Sequence, residues 1–89
     1  MQLEWDEKKR TANLAKHDLD FVDTEQFDWL TAYTTPARTV AGEERHQAFN
    51  IFDDVLHVVT DVRRGDVIRI ISFRRASRQE RKRYGPSKP

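Results

Sequence analysis

The chain is 89 residues long, 37% hydrophobic and 35% charged, with 10% aromatics and no cysteine. That composition suits one small folded domain and excludes disulfide frameworks, thiolate metal sites and cysteine nucleophiles; no apolar run reaches signal-peptide or membrane-span length. The formal charge of +1 conceals a split: residues 1–62 hold six basic and thirteen acidic side chains, while residues 63–89 hold ten Lys or Arg against Asp66 and Glu80 alone.

A basic segment on an acidic body predicts a polyanion partner, because clustered Lys and Arg release counterions when they bind phosphates. The competing reading is a solvated basic helix with a tail. Residues 1–85 read as one domain and 86–89 as a flexible tail. A cytoplasmic location is the default, and the core is small enough that a partner would add stability.

Leu3 and Trp5 alternate with Gln2 and Glu4, which predicts a short first strand. Asp6 is placed to cap a helix over 7–16, with Ala12 and Ala15 turned inward and Lys8, Lys9 and Arg10 wet. Asp20 caps a predicted second helix over 21–28, with Phe21, Thr24 and Phe27 at helical spacing. Pro36 and Gly42 bracket a predicted loop, preceded by a candidate strand near 31–35.

The period then changes. Residues 43–52 alternate toward Phe49 and Ile51, Asp53-Asp54 form a turn, and 55–62 are rich in β-branched residues. Arg64-Gly65-Asp66 makes a second turn before Val67–Phe73, the strongest strand in the chain. Strands joined by tight turns predict an antiparallel meander. Ser77-Arg78-Gln79-Glu80 is a capping box, so a last helix starts at Arg78 and ends near Tyr84, before Gly85-Pro86.

On a strict two-residue period Val67, Arg69, Ile71 and Phe73 share one face of that last strand, and Ile68, Ile70, Ser72 and Arg74 the other. Both faces are largely apolar, so the strand is central. An arginine there must meet a carboxylate, a phosphate or solvent. Arg69 is read either as an ion pair with Glu43 or Glu44, or as a phosphate ligand.

His17 at the end of the first helix is either a helix-end cation or a general acid or base. His57 reads as a packed strand residue and His46 as exposed. No His pair has helical i, i+4 spacing, so a metal site has no support. Glycine-rich phosphate loops, zinc-finger spacings and Ser-His-Asp sets are missing too. Tyr84 is a packing anchor or a residue that stacks on a base. The chemistry alone reaches a small α+β domain with a basic face directed at RNA.

Several segments carry a resemblance: Trp5-Asp6-Glu7-Lys8-Lys9, Asn13-Leu14-Ala15-Lys16-His17, Gly42-Glu43-Glu44-Arg45, Arg64-Gly65-Asp66, Ile68-Arg69-Ile70-Ile71-Ser72, Arg74-Arg75-Ala76-Ser77, Glu80-Arg81 and Tyr84. In this order, from residue 3 to 84, the chain resembles the BrnT family of type II toxins. It departs from the family pattern at Asn50 and Asp54, where glycines are common, and at Phe73, where a small residue is common.

The resemblance implies a RelE-like α+β fold: a twisted antiparallel sheet, two N-terminal helices packed on it and a short C-terminal helix. It implies an endoribonuclease that cleaves RNA, free or on the ribosome, and stops translation without metal or other cofactor. The implied antitoxin is of the BrnA type, with a ribbon-helix-helix part that alone contacts operator DNA, in a heterotetramer of two toxins and two antitoxins. The matching motifs put Arg45, Arg69 and Arg74 on the phosphate, His17 as acid or base, and Tyr84 against a base or leaving group. Lys16, Arg64, Arg75, Arg78, Arg81 and Lys82 would hold RNA. A non-catalytic, antitoxin-binding co-repressor is the alternative, and a general nucleic-acid-binding domain a third reading.

Overall fold

The computed structural model describes residues 1–85, so the predicted tail at 86–89 lies outside the described residues. In chain order the elements are β1 (Gln2–Trp5), α1 (Glu7–His17), a 3₁₀ segment (Phe21–Gln26), β2 (Tyr33–Val40), β3 (Glu43–Phe52), β4 (Val55–Arg64), β5 (Val67–Arg75) and α2 (Arg78–Tyr84). The strands form one sheet in the order β1-β5-β4-β3-β2.

β2 to β5 make the expected antiparallel meander. The sheet as a whole is mixed, because β1 pairs with β5 in parallel. A wholly antiparallel sheet was the expectation. A long crossover through α1 and the 3₁₀ segment separates β1 from the meander, so no hairpin dictates its direction.

Local chemistry sets most element ends. Asp6 accepts from the Lys8 N–H at 3.1 Å and starts α1, and Asp18 ends it in the left-handed region at φ 57°. Asp53 and Asp54, at φ 51° and 65°, form a two-residue hairpin that leaves Phe52 opposite Val55. Aspartate tolerates that conformation, so the missing glycine at Asp54 costs the turn little. At α2 the Ser77 hydroxyl accepts from the Glu80 N–H while the Glu80 carboxylate accepts from the Ser77 N–H, completing the capping box.

Three expectations change. The second helix is a 3₁₀ segment: Asp20 caps it at Val22, and the Thr24 hydroxyl donates to the Phe21 carbonyl at 2.6 Å. Six residues closed by such local bonds are too few to nucleate a stable α-helix. The loop beginning at Pro36 is strand instead; β2 lies at the sheet edge and shifts register between Pro36 and Thr39, where a missing N–H is tolerated. Ala12 and Ala15 are exposed, and the buried residue of α1 is Asn13. The helix lies against β5, beyond the end of β1, and presents few side chains to the sheet.

A register shift in β5 decides which residues share a face. Thr60 pairs with Ser72 but Asp61 pairs with Ile70, so Ile71 is an extra, bulged residue. The bulge reverses the alternation beyond it. Ile68, Ile70 and Phe73 all join one core with Leu19, Phe21, Phe27, Ala48 and Val59. Phe73 therefore opposes Arg69 instead of sharing its face, and its bulk fills this core. The other face carries a smaller core of Phe49, Leu56, Val58 and Ala76, with Tyr84 of α2 packed on it.

Candidate active site

Beyond the α2 end, the second face of the sheet is polar. Its rungs are set by register. Gln47, Thr60 and Ser72 lie side by side on β3, β4 and β5; Arg45, Val62, Arg69 and Glu4 form the next rung. Arg74 sits on the rung of Val58 and Phe49. The Ile71 bulge is what brings Arg69, Ser72 and Arg74 to one side.

Three adjoining depressions follow these rungs. The first lies between α1 and β5, lined by Lys9, Lys16, His17, Ile71 and Ser72. The second shares Ile71 and Ser72 and continues to Arg38, Arg45, Gln47 and Thr60. The third shares Gln47 and continues to Arg74, Glu80, Arg83 and Tyr84. Together they form one open trough with a neutral polar floor and cationic walls.

Asn13 fixes the α1 wall. Its Oδ1 accepts from the Phe73 N–H at 3.1 Å, and its Nδ2 donates to the carbonyls of Phe73 at 2.8 Å and Leu19 at 3.0 Å. Arg75 Nη1 reaches the His17 carbonyl at 3.4 Å. His17 is half-buried, and burial lowers its pKa, helped by the nearby charges of Lys16 and Arg74. That shift favours the neutral imidazole, which suits a proton acceptor.

The arginines differ in how far their charge is already used. Arg74 makes a bidentate pair with Glu80 at 2.6 and 2.9 Å, and that pair draws the Glu80 carboxyl down to about 2. Arg69 Nη1 meets Glu4 at 2.7 Å. Its partner is thus Glu4 on the adjacent strand of the same rung, not Glu43 or Glu44; Glu43 pairs instead with Arg64. Arg38 and Arg45 have no ion pair among the described residues.

The structure brings Lys16, His17, Arg45, Arg74 and Tyr84 to the trough, with Arg69 one rung beyond its floor. Arg64 sits at the far hairpin, Arg75 at the end of α1, and Arg78, Arg81 and Lys82 on exposed parts of α2. Sequence reasoning missed Arg38, Arg83, Gln47, Thr60 and the bridging role of Asn13. Only Asn13 carried a signal, as an amide inside a helix, where it is a poor helix former. His46 is half-buried rather than exposed, its Nε2 meeting Glu44 at 3.1 Å. No set of three or more His, Asp or Glu among the described residues is arranged to hold a metal ion.

Residues 5–80 match the family described as "Ribonuclease toxin, BrnT, of type II toxin-antitoxin system". The chain belongs to the BrnT family. A solved structure, the Brucella abortus ribonuclease toxin BrnT, is similar to it with a TM-score of 0.75 and 34% sequence identity over 88% of this chain and 99% of that one. No curated protein matches. As a BrnT ribonuclease toxin of a type II system, the chain implies an antitoxin partner. No helix among the described residues is long and apolar enough to cross a membrane.

Proposed function

We propose that this BrnT chain is a metal-independent endoribonuclease whose active site is the trough between α1, the bulged β5 and α2. The observation that carries this reading is the grouping of half-buried His17 with Lys16 and Arg45 around Ser72, with Arg74 in the adjoining depression that shares Gln47. The geometry suits in-line attack within RNA. His17 takes the proton of a ribose 2′-hydroxyl, and the 2′-oxygen bonds to the adjacent phosphorus. The P–O5′ bond breaks and the 5′-oxygen takes a proton from solvent, leaving a 2′,3′-cyclic phosphate and a 5′-hydroxyl.

Arg45 and Arg74 offset the charge that builds on the phosphate oxygens, with Lys16 adding field and Arg69 support from the next rung. Tyr84 orients the nucleotide at the far end. Arg64, Arg75, Arg78, Arg81 and Lys82 lie off the trough and would act on flanking RNA by charge alone. Cleavage of messages, free or on the ribosome, would arrest translation. The fold is taken as RelE-like, and the antitoxin as a BrnA-type ribbon-helix-helix protein in a two-plus-two complex that alone touches operator DNA.

A second reading has its own observation. Arg69 and Arg74 are already neutralised by Glu4 and Glu80. A module that only binds its antitoxin as a co-repressor would need them for nothing more.

Controlled expression in bacteria separates the two. Growth arrest with broken RNA for the parent, relieved by co-expressed antitoxin and absent for a soluble Arg45→Ala variant, supports the nuclease. A soluble parent that leaves growth and RNA intact supports the co-repressor.

A further inference from the structure

The trough ends at Tyr84, which belongs to a run of three aromatic rings whose other two members have no part in the proposed mechanism. Tyr84 stacks on Phe49 with centroids 4.3 Å apart and on Tyr33 at 5.4 Å, the ring planes inclined by 29° and 26°. The run climbs from the core to the surface: Phe49 is 3% exposed and Tyr33 is 56% exposed. Tyr33 opens the edge strand β2 and is held opposite Phe49 by register. The Arg83 guanidinium carbon stands 5.4 Å from the Tyr84 centroid, in the depression that Tyr84 also lines.

A large aromatic half out of water on an edge strand needs a reason. Tyr33 stands outside the second core, whose buried members are Phe49, Leu56, Val58 and Ala76 with Tyr84 packed against them. Every nucleobase has a π-face, and rings beside a cationic channel are how single-stranded nucleic acid is held.

We infer that Tyr33 is a base-stacking residue. It extends the Phe49–Tyr84 stack to one unpaired nucleobase of single-stranded RNA beside the scissile phosphate, while Arg83 meets a phosphate of that nucleotide. This inference rests on the nuclease reading and deepens it, giving a subsite for a flanking nucleotide. Tyr33 acts in binding and not in the chemical step.

The test uses the purified chain and short single-stranded RNA, with Tyr33→Ala, Tyr33→Leu and Tyr33→Phe variants. Leucine keeps apolar cover on Tyr84 but offers no π-face, so it remains informative should the alanine variant fold poorly. The expected result is a KM raised about tenfold in Tyr33→Leu, with kcat and melting temperature near those of the parent, and parent-like KM in Tyr33→Phe. A 2-aminopurine placed in an RNA lacking 2′-hydroxyls is quenched on binding to the parent and to Tyr33→Phe, and less so by Tyr33→Leu. Parent-like KM and quenching in Tyr33→Leu, from a parent that does cleave, overturn the inference and leave the nuclease reading standing. A folded parent that neither binds nor cuts RNA overturns both.

Discussion

The Asn13 carboxamide bonds both backbone groups of Phe73, at 3.1 and 2.8 Å, and so takes the place of a strand partner. β1 pairs with β5 only as far as Trp5 opposite Ile70, and the Ile71 bulge follows at once. Past that point β5 needs another partner for its outer polar groups, which would otherwise be buried unsatisfied. Asn13 supplies it from a helix. Lys16 and His17 lie one turn further along α1, so the same contact sets the wall of the trough.

Asn13→Leu leaves the Phe73 N–H and carbonyl buried without that partner. It is expected to cost about 2–4 kcal/mol, measured by urea unfolding. RNA cleavage should fall further than the unfolded fraction accounts for, because His17 and Lys16 lose their anchor. A stable variant with full activity would separate the trough from this contact.

In the proposed mechanism His17 is the base, which requires a neutral imidazole, and burial with Lys16 and Arg74 lowers its pKa from the usual value near 6.5. Cleavage should therefore rise with pH through a midpoint below that value and be level by pH 7. His17→Ala should remove this limb and most of the rate, by about 10²-fold or more. An unchanged acid limb in His17→Ala would assign the base elsewhere.

Arg45 and Arg69 flank Val62 on one rung, yet only Arg69 is paired, with Glu4 at 2.7 Å. Arg45→Ala should lower kcat about 10²-fold with the melting temperature nearly unchanged. Arg69→Ala should lower kcat less and cost about 0.5–1 kcal/mol, since both partners are about a third exposed. The reverse order of kcat losses would give Arg69 the phosphate.

Glu80 carries a pH lever in the acid range. Its carboxyl sits at about 2, held there first by Arg74 and also by the Ser77 N–H, against an ordinary 4.5. A lowered carboxyl adds stability that is complete above the unfolded value and is lost as pH falls through the folded one. Unfolding free energy should thus decline between about pH 4.5 and 2. Glu80→Gln should flatten part of that decline and cost about 1–3 kcal/mol at pH 7. Equal acid sensitivity in both proteins would mean that the Arg74 pair adds little.

Much of this was legible in the sequence because its signals are local. Asp6, Ser77 and Glu80 cap their helices through contacts two or three residues away. Asp53-Asp54 and Gly65 mark the hairpins, and β-branched runs mark β4 and β5. The motif residues Lys16, His17, Arg45, Arg74 and Tyr84 do converge on one trough.

What was not legible depends on distant chain. The parallel β1 follows from where a long crossover lands. Pro36 can sit in a strand because β2 has an open edge. Ile71 looks like any other member of an alternating run, and only pairing with β4 and the short β1 makes it a bulge. That one residue decides whether Arg69 and Arg74 share a face, and a strict two-residue period puts them apart. The Glu4 partner of Arg69 is 65 positions away, beyond any local signal.

The most direct measurement follows the purified chain on a 5′-labelled single-stranded RNA in excess EDTA, with the product ends identified by mass. The account predicts cleavage into fragments ending in a 2′,3′-cyclic phosphate and a 5′-hydroxyl, blocked by a 2′-deoxy sugar at the cut and by Arg45→Ala. Intact RNA in the presence of folded protein, or equal cleavage at the 2′-deoxy position, would contradict it.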